Sequence, residues 1–210
     1  MTVRGVLHVH SAPPALSPHI EWAIAGILGV PVTLPWADQP ASPGMLRTEL
    51  NWEGRPGAAG AITSALAGWN QLRFEVTEEA SPGCDAVRYS CTPSLGTFSA
   101  VTAANGDVLV PEGRLRAALT LAGRMADISA ERLIDKPAEL VVDKPTQDRD
   151  EPGGTRAGGA PRPARRHPAL GGSLEAELRL LLGQPWDDEL EPFRHAGAGA
   201  PVRWLHAASG

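Results

Sequence analysis

Cysteine is scarce. Cys84 and Cys91 are the only two in 210 residues, and their spacing matches no zinc or thioredoxin pattern. A disulfide framework is therefore excluded, and both are expected as incidental reduced thiols. Membrane-length apolar runs are also missing. The uncharged stretch Trp22 to Ala37 is interrupted by Gly29, Pro31 and Pro35, whereas spanning takes roughly 20 apolar residues. The N-terminus lacks the pattern of a secretory leader, because the apolar stretch after Arg4 is short and carries His8 and His10. A soluble, cytoplasmic protein with no membrane partner is the expectation. Basic excess is lacking too. The net charge is −5, which disfavours a nucleic-acid partner, since that would call for a basic face. No glycine-rich phosphate cradle is present. What remains is 42% hydrophobic content, sufficient for a core.

The first part of the chain has a strand–helix–strand–strand–helix–strand rhythm between residues 3 and 77. Val3, Gly5, Leu7 and Val9 alternate with Arg4, Val6, His8 and His10, the period of a strand. Ser17 is placed to cap a helix with Pro18 at its first position. Ile20, Ile24, Ile27 and Leu28 follow at helical spacing, and Gly29 is placed to stop it. Val30 to Trp36 reads as a short strand, and its prolines favour a sheet edge. Leu46, Thr48, Leu50 and Trp52 form a third, half-buried strand. Gly54 to Gly57 turns the chain into a second helix with the stripe Ile62, Ala65, Leu66, Trp69. Leu72, Phe74 and Val76 close the unit, alternating with Arg73, Glu75 and Thr77. The fold expected is α+β: a ferredoxin-like split β-α-β core (βαββαβ).

Later segments extend this core. Val87, Tyr89 and Cys91 read as a strand. Asn105-Gly106 between Phe98–Ala103 and Val108–Val110 is a hairpin signal. A helix starts near Pro111 and carries Leu115, Ala118, Leu119 and Ala122 on one face. Residues 136–172 hold six prolines and six glycines, a composition that cannot offset its ordering entropy by burial. The expected organisation is one domain, 1–135 plus 173–210, around a disordered insert. Leu174, Leu178, Leu181 and Leu182 make a short amphipathic helix ending at Gly183. Trp186, Phe193 and the closing run Pro201 to His206 with Trp204 predict a tail that docks on the body, because exposing such aromatic area is costly.

Candidate chemistry is thin. His8 and His10, two apart on a strand, share a face and are the candidate metal pair. The string Leu7-His8-Val9-His10-Ser11 resembles the opening His-x-His motif of the polymerase-and-histidinol-phosphatase metallophosphoesterases. That resemblance covers five residues. The family needs further histidines and acids from later barrel strands, and here only His19, His167, His195 and His206 remain. His10, Ser11, Ser17 and His19 at the first strand–helix junction are the candidate ligand site, suited to a small anion at a helix N-terminus. Ser11 with His10 or His19 would be a nucleophile and base. Asp187, Asp188, Glu189 and Glu191 read as a solvated helix start, or with His195 as a hard-cation site. Trp22, Trp36, Trp52 and Trp69 fall about one to each early element and read as core or interface packing rather than base-stacking platforms.

Taken whole, the chain resembles the actinobacterial domain-of-unknown-function family 3145. The stretches Arg4 to Pro13, Pro18 to Gly26 and Gly183 to Arg194 carry the resemblance, with the strand ending at Trp52 and the run Phe74 to Glu79. Typical members look shorter and lack the 136–172 segment. The resemblance brings no catalytic residues and leaves any cofactor unknown; it implies an accessory role beside fatty-acid synthesis enzymes. The residues themselves favour a non-enzymatic small-ligand-binding or regulatory module, homodimeric through a sheet edge or face, whose ligand or protein partner they do not specify. The alternative is a metal-assisted hydrolase using His8 and His10.

Overall fold

The computed structural model describes residues 2–134 and 173–195. Strand β1 (Val3–Ala12) is central, with β3 (Leu46–Gly54) on one side and β4 (Arg73–Glu78) on the other, all antiparallel. The short β2 (Ala37–Asp38) borders β3, while β5 (Ala86–Thr92), β6 (Gly96–Thr102) and β7 (Val108–Leu109) continue beyond β4. The seven strands run in the order β2-β3-β1-β4-β5-β6-β7. Helix α1 (Ser17–Leu28) follows β1, and α2 (Ala58–Leu66) follows β3. Helix α3 (Glu112–Ile134) follows β7, and α4 (Leu174–Leu182) and α5 (Gln184–His195) end the described chain. The protein is thus α+β, with an added β5–β6 hairpin and helices at its C-terminal end.

One sheet face builds the apolar core. Leu7 and Val9 of β1, Phe74 and Val76 of β4, and Trp52 of β3 are buried against Ile20, Ile24, Ile62 and Leu66 of α1 and α2. The alternation in β1, β3 and β4 supplies these residues because a strand shows every second side chain to one face. Gly5 is required by Trp52. A Cβ there would lie 2.3 Å from the indole and 2.0 Å from the Thr77 carbonyl oxygen. Helix α2 gets its N-terminal partner from across the sheet: the Glu78 carboxylate accepts from the Gly57 and Ala59 amides at 2.8 and 2.9 Å. Its charge sits at the positive end of the helix dipole.

Several expectations need correction. Val30–Trp36 is a loop, and only Ala37–Asp38 pairs with β3. Pro31 and Pro35 lack ladder donors, and the free donors go elsewhere: the Glu21 carboxylate accepts from the Leu34 amide at 2.9 Å and the Trp36 indole at 3.0 Å. Ser17 is inside α1 rather than its cap. Leu16, the last residue of a 3-10 turn over Pro14–Leu16, takes that place, with no side-chain cap bond. Gly29 does stop α1, with φ 73° and its N–H donating to the Ala25 carbonyl at 2.8 Å. Among the tryptophans, Trp52 is buried, Trp36 and Trp69 pack partly against the core, and Trp22 is 80% exposed. Cys84 and Cys91 are free thiols. The 136–172 segment and the run Pro201 to His206 lie outside the described residues.

Candidate functional site

The sheet's second face carries a different chemistry. Glu75 on β4 points away from Phe74 and Val76, yet only 2% of it is exposed, because α5 lies over it. Arg194 of α5 grips the carboxylate with two bonds, Nε to Oε2 at 3.0 Å and Nη2 to Oε1 at 2.6 Å. This is the fork geometry in which guanidinium and carboxylate match best. Arg88 of β5 donates to Oε1 at 3.0 Å, the Ser90 hydroxyl donates to the same oxygen at 3.1 Å, and His10 Nε2 lies 2.7 Å from Oε2. Asp187, at the start of α5, accepts from both Arg88 and Arg194. Two carboxylates and two guanidiniums therefore neutralise one another across β4, β5 and α5.

Electrostatics follow from this geometry. Burial alone would push the Glu75 carboxyl up, but its hydrogen bonds and charge contacts with His10 and Arg194 outweigh that and hold it well below the usual carboxylate range. Arg194 is held protonated by Glu75 and Asp187 against its own burial. His8 lies beside His10 with the rings stacked, centroids 5.9 Å apart. Burial, then the neighbouring His10, lowers the His8 pKa, against the opposing pull of Glu49 and Glu75.

Further contacts complete the seat of α5. The Trp186 indole donates to the Gly96 carbonyl at 3.0 Å and its ring packs on Phe98. Arg73 lies over the Phe193 ring at 4.6 Å and pairs with Glu189 at 3.2 Å. Buried Gln39 ties the ends together, its side-chain amide donating to the His10 carbonyl at 2.6 Å and the Phe193 carbonyl at 3.3 Å. Gly183 permits the α4–α5 corner: it has φ 79°, and a Cβ there would meet Phe98 at 2.4 Å. The tail anchors Trp186 and Phe193 thus sit on the sheet. The acidic run departs from a solvated helix start, for Asp187 and Glu189 pair with sheet arginines. Glu191 pairs instead with His195 and Arg194 on its own helix.

The sequence candidates separate. His8 and His10 do share a face, with His8 also 3.8 Å from Glu49. Among the described residues, no group of three or more His, Cys, Asp or Glu is arranged to hold a metal ion. Ser11 is buried and Ser17 half-buried, the hydroxyl oxygen of each is shielded without a hydrogen-bond partner, and His19 is exposed. No hydrogen bond among the described residues joins Ser11 to a histidine. Glu75, Arg88 and Arg194 were missed as site residues because each reads locally as a polar residue on a half-solvated element. The one available signal was the pairing of a charged strand face with an aromatic tail rich in opposite charges.

These features define an α+β protein whose sheet is closed on one face by an apolar helical layer and on the other by an ion-paired C-terminal helix. The chain belongs to the family described as Protein of unknown function (DUF3145), whose model matches residues 6–138 and 162–207. No curated protein and no solved structure matches it. No helix among the described residues is long and apolar enough to cross a membrane.

Proposed function

We propose that this protein is a non-enzymatic binding or regulatory module, built on a ferredoxin-like core formed by β1, α1, β2, β3, α2 and β4. The order β2-β3-β1-β4 supports that core. The observation that carries the functional reading is the commitment of Glu75. Both of its oxygens are occupied by arginines, His10 and Ser90, and its carboxyl is held ionised. A general acid or base near neutral pH needs a pKa near the working pH and an open path to substrate, and Glu75 offers neither. Its chemistry is that of a clasp holding α5.

The rival reading is a metal-assisted hydrolase built on the His8–His10 pair, favoured by their shared face. A third, an accessory role beside fatty-acid synthesis enzymes, rests on the family resemblance alone. The first two separate by the metal content of natively purified, untagged protein, measured by inductively coupled plasma mass spectrometry. The module is expected to carry no stoichiometric metal and to keep its fold in His8→Ala/His10→Ala. Near-stoichiometric zinc, manganese or iron that disappears in that variant would overturn the module reading.

A further inference from the structure

The apolar helical layer ends at α2, short of the last strands of the sheet. Tyr89 of β5 shares its face with Val76, and Val101 of β6 with Val87, because directly paired residues of antiparallel strands point the same way. Beyond α2 these side chains line an open trough of about 230 Å³, with Leu109 of β7, Leu181 of α4 and the start of α3 beside them. Leu109 is 49% exposed, and Val87, Tyr89 and Val101 are half-buried. Gly60 of α2 gives the Tyr89 side chain its room, for a Cβ there would lie 3.2 Å from the phenol oxygen. That hydroxyl has no hydrogen-bond partner among the described residues, and solvent reaches it. Arg114, in the first turn of α3, is the one charged residue among those lining the trough. It is exposed and has no ion-pair partner among the described residues, since the neighbouring acid, Glu112, is taken by Arg116 at 2.9 Å.

We propose that this trough binds a small carboxylate with an apolar body, its carboxylate on Arg114 and its body against Val87, Tyr89, Val101 and Leu109. The inference rests on the binding-module reading and gives that module a site. An apolar recess with a few placed polar groups is the usual form of a small-ligand site. Charge selects the ligand's sign. A free guanidinium beside apolar walls offers two parallel donors to a carboxylate, and it repels an amine. Charge also selects the amount. One cation with no second beside it matches a monoanion, whereas a phosphate dianion would keep a charge unpaired against apolar walls. Volume limits the body. The trough holds about eight waters' share of space, which suits one ring or a short branched chain. The Tyr89 ring on its wall favours an aryl body, since aromatic pairs add to the area that they bury.

Titration of the full chain with hydrocinnamate, followed residue by residue in amide NMR spectra, tests this. Saturable shifts are expected at Val87, Tyr89, Val101 and Arg114. Hydrocinnamyl alcohol keeps the body and lacks the charge, and it should bind at least about tenfold more weakly, the scale of a hydrogen bond to a charged group. Arg114→Gln should weaken the acid to the level of the alcohol. Leu109→Glu, which adds a negative charge to the wall, should weaken the acid more than the alcohol. Both positions are exposed, and unchanged far-ultraviolet circular dichroism and melting temperature would show that the variants fold. Absence of saturable binding overturns the proposal, as do shifts centred away from the trough, equal affinity for acid and alcohol, or undiminished binding of the acid by Arg114→Gln. Any of these in protein without stoichiometric metal removes the site and leaves the module reading standing. Stoichiometric metal that disappears in His8→Ala/His10→Ala removes that reading, and this inference with it.

Discussion

The two faces of the sheet are covered by helices in opposite ways. Under α1 and α2 the contact is continuous apolar packing, Leu7, Phe74 and Val76 against Ile20, Ile24, Ile62 and Leu66. Under α5 the contact is polar at its centre, with Glu75, Arg88, Arg194 and Asp187 paired and Trp186 and Phe193 toward the ends. Apolar packing is non-directional and tolerates many partners. A buried ion cluster stabilises little on balance, because desolvation offsets attraction, but it punishes any misfit severely. The first face thus supplies cohesion. The second specifies one seat for one helix.

Substitutions at neighbouring positions of β4 separate these roles. Phe74→Ala opens a cavity on the cohesive side and is expected to cost about 3–5 kcal/mol, measured as global unfolding by urea. Glu75→Ala, one residue away, removes the carboxylate that Arg88 and Arg194 share. It should cost about 3 kcal/mol, near the low end for breaking a buried ion pair. Its signature differs: amide hydrogen exchange should rise first in α5 while β1 and α2 stay protected. Uniform loss of protection would refute the idea that the clasp acts on α5 alone.

The smallest effect is expected from pH. A histidine whose folded pKa is lowered below its ordinary value of 6.5 binds fewer protons folded than unfolded. Stability that it influences is therefore highest above pH 6.5 and falls as pH drops toward the folded pKa. Glu75, lowered well below 4.5, adds a second loss only in more acidic solution, because its contribution is complete above the unfolded value. Replacing His8 with Phe should flatten the slope just below pH 6.5 and leave the acid limb in place. Chemical denaturation at a series of pH values reads both limbs. An unchanged slope in His8→Phe would assign it to another group.

Much of the apolar face was legible. The alternation in β1, β3 and β4, the stripe Ile20-Ile24 in α1 and the stops at Gly29 and Gly183 are local patterns, and they reappear where the pattern places them. Val30–Trp36 was misread because its apolar residues mimic a strand, while Pro31, Pro35 and the Glu21 carboxylate direct its donors away from a ladder. Ser17 was misread because a good cap residue was present, yet the 3-10 turn ahead of it had already set the helix start. Of the candidate site, the His8–His10 pairing on one face was visible from a spacing of two.

Glu75 was not visible, and the reason is physical. In β4 it occupies a polar position of an alternating strand, indistinguishable from a residue facing water. Its burial depends on a helix more than 100 residues later in the chain, and no local rule links the two. Periodicity and turn chemistry determined which residues of this protein are apolar, how they group into strands and helices, and which strand faces form a core, because these follow from short-range geometry. Only the tertiary structure decided that Arg88, Arg194, Asp187 and His10 converge on one carboxylate. Charges acquire partners through long-range closure, and the cost of burying them makes that closure selective.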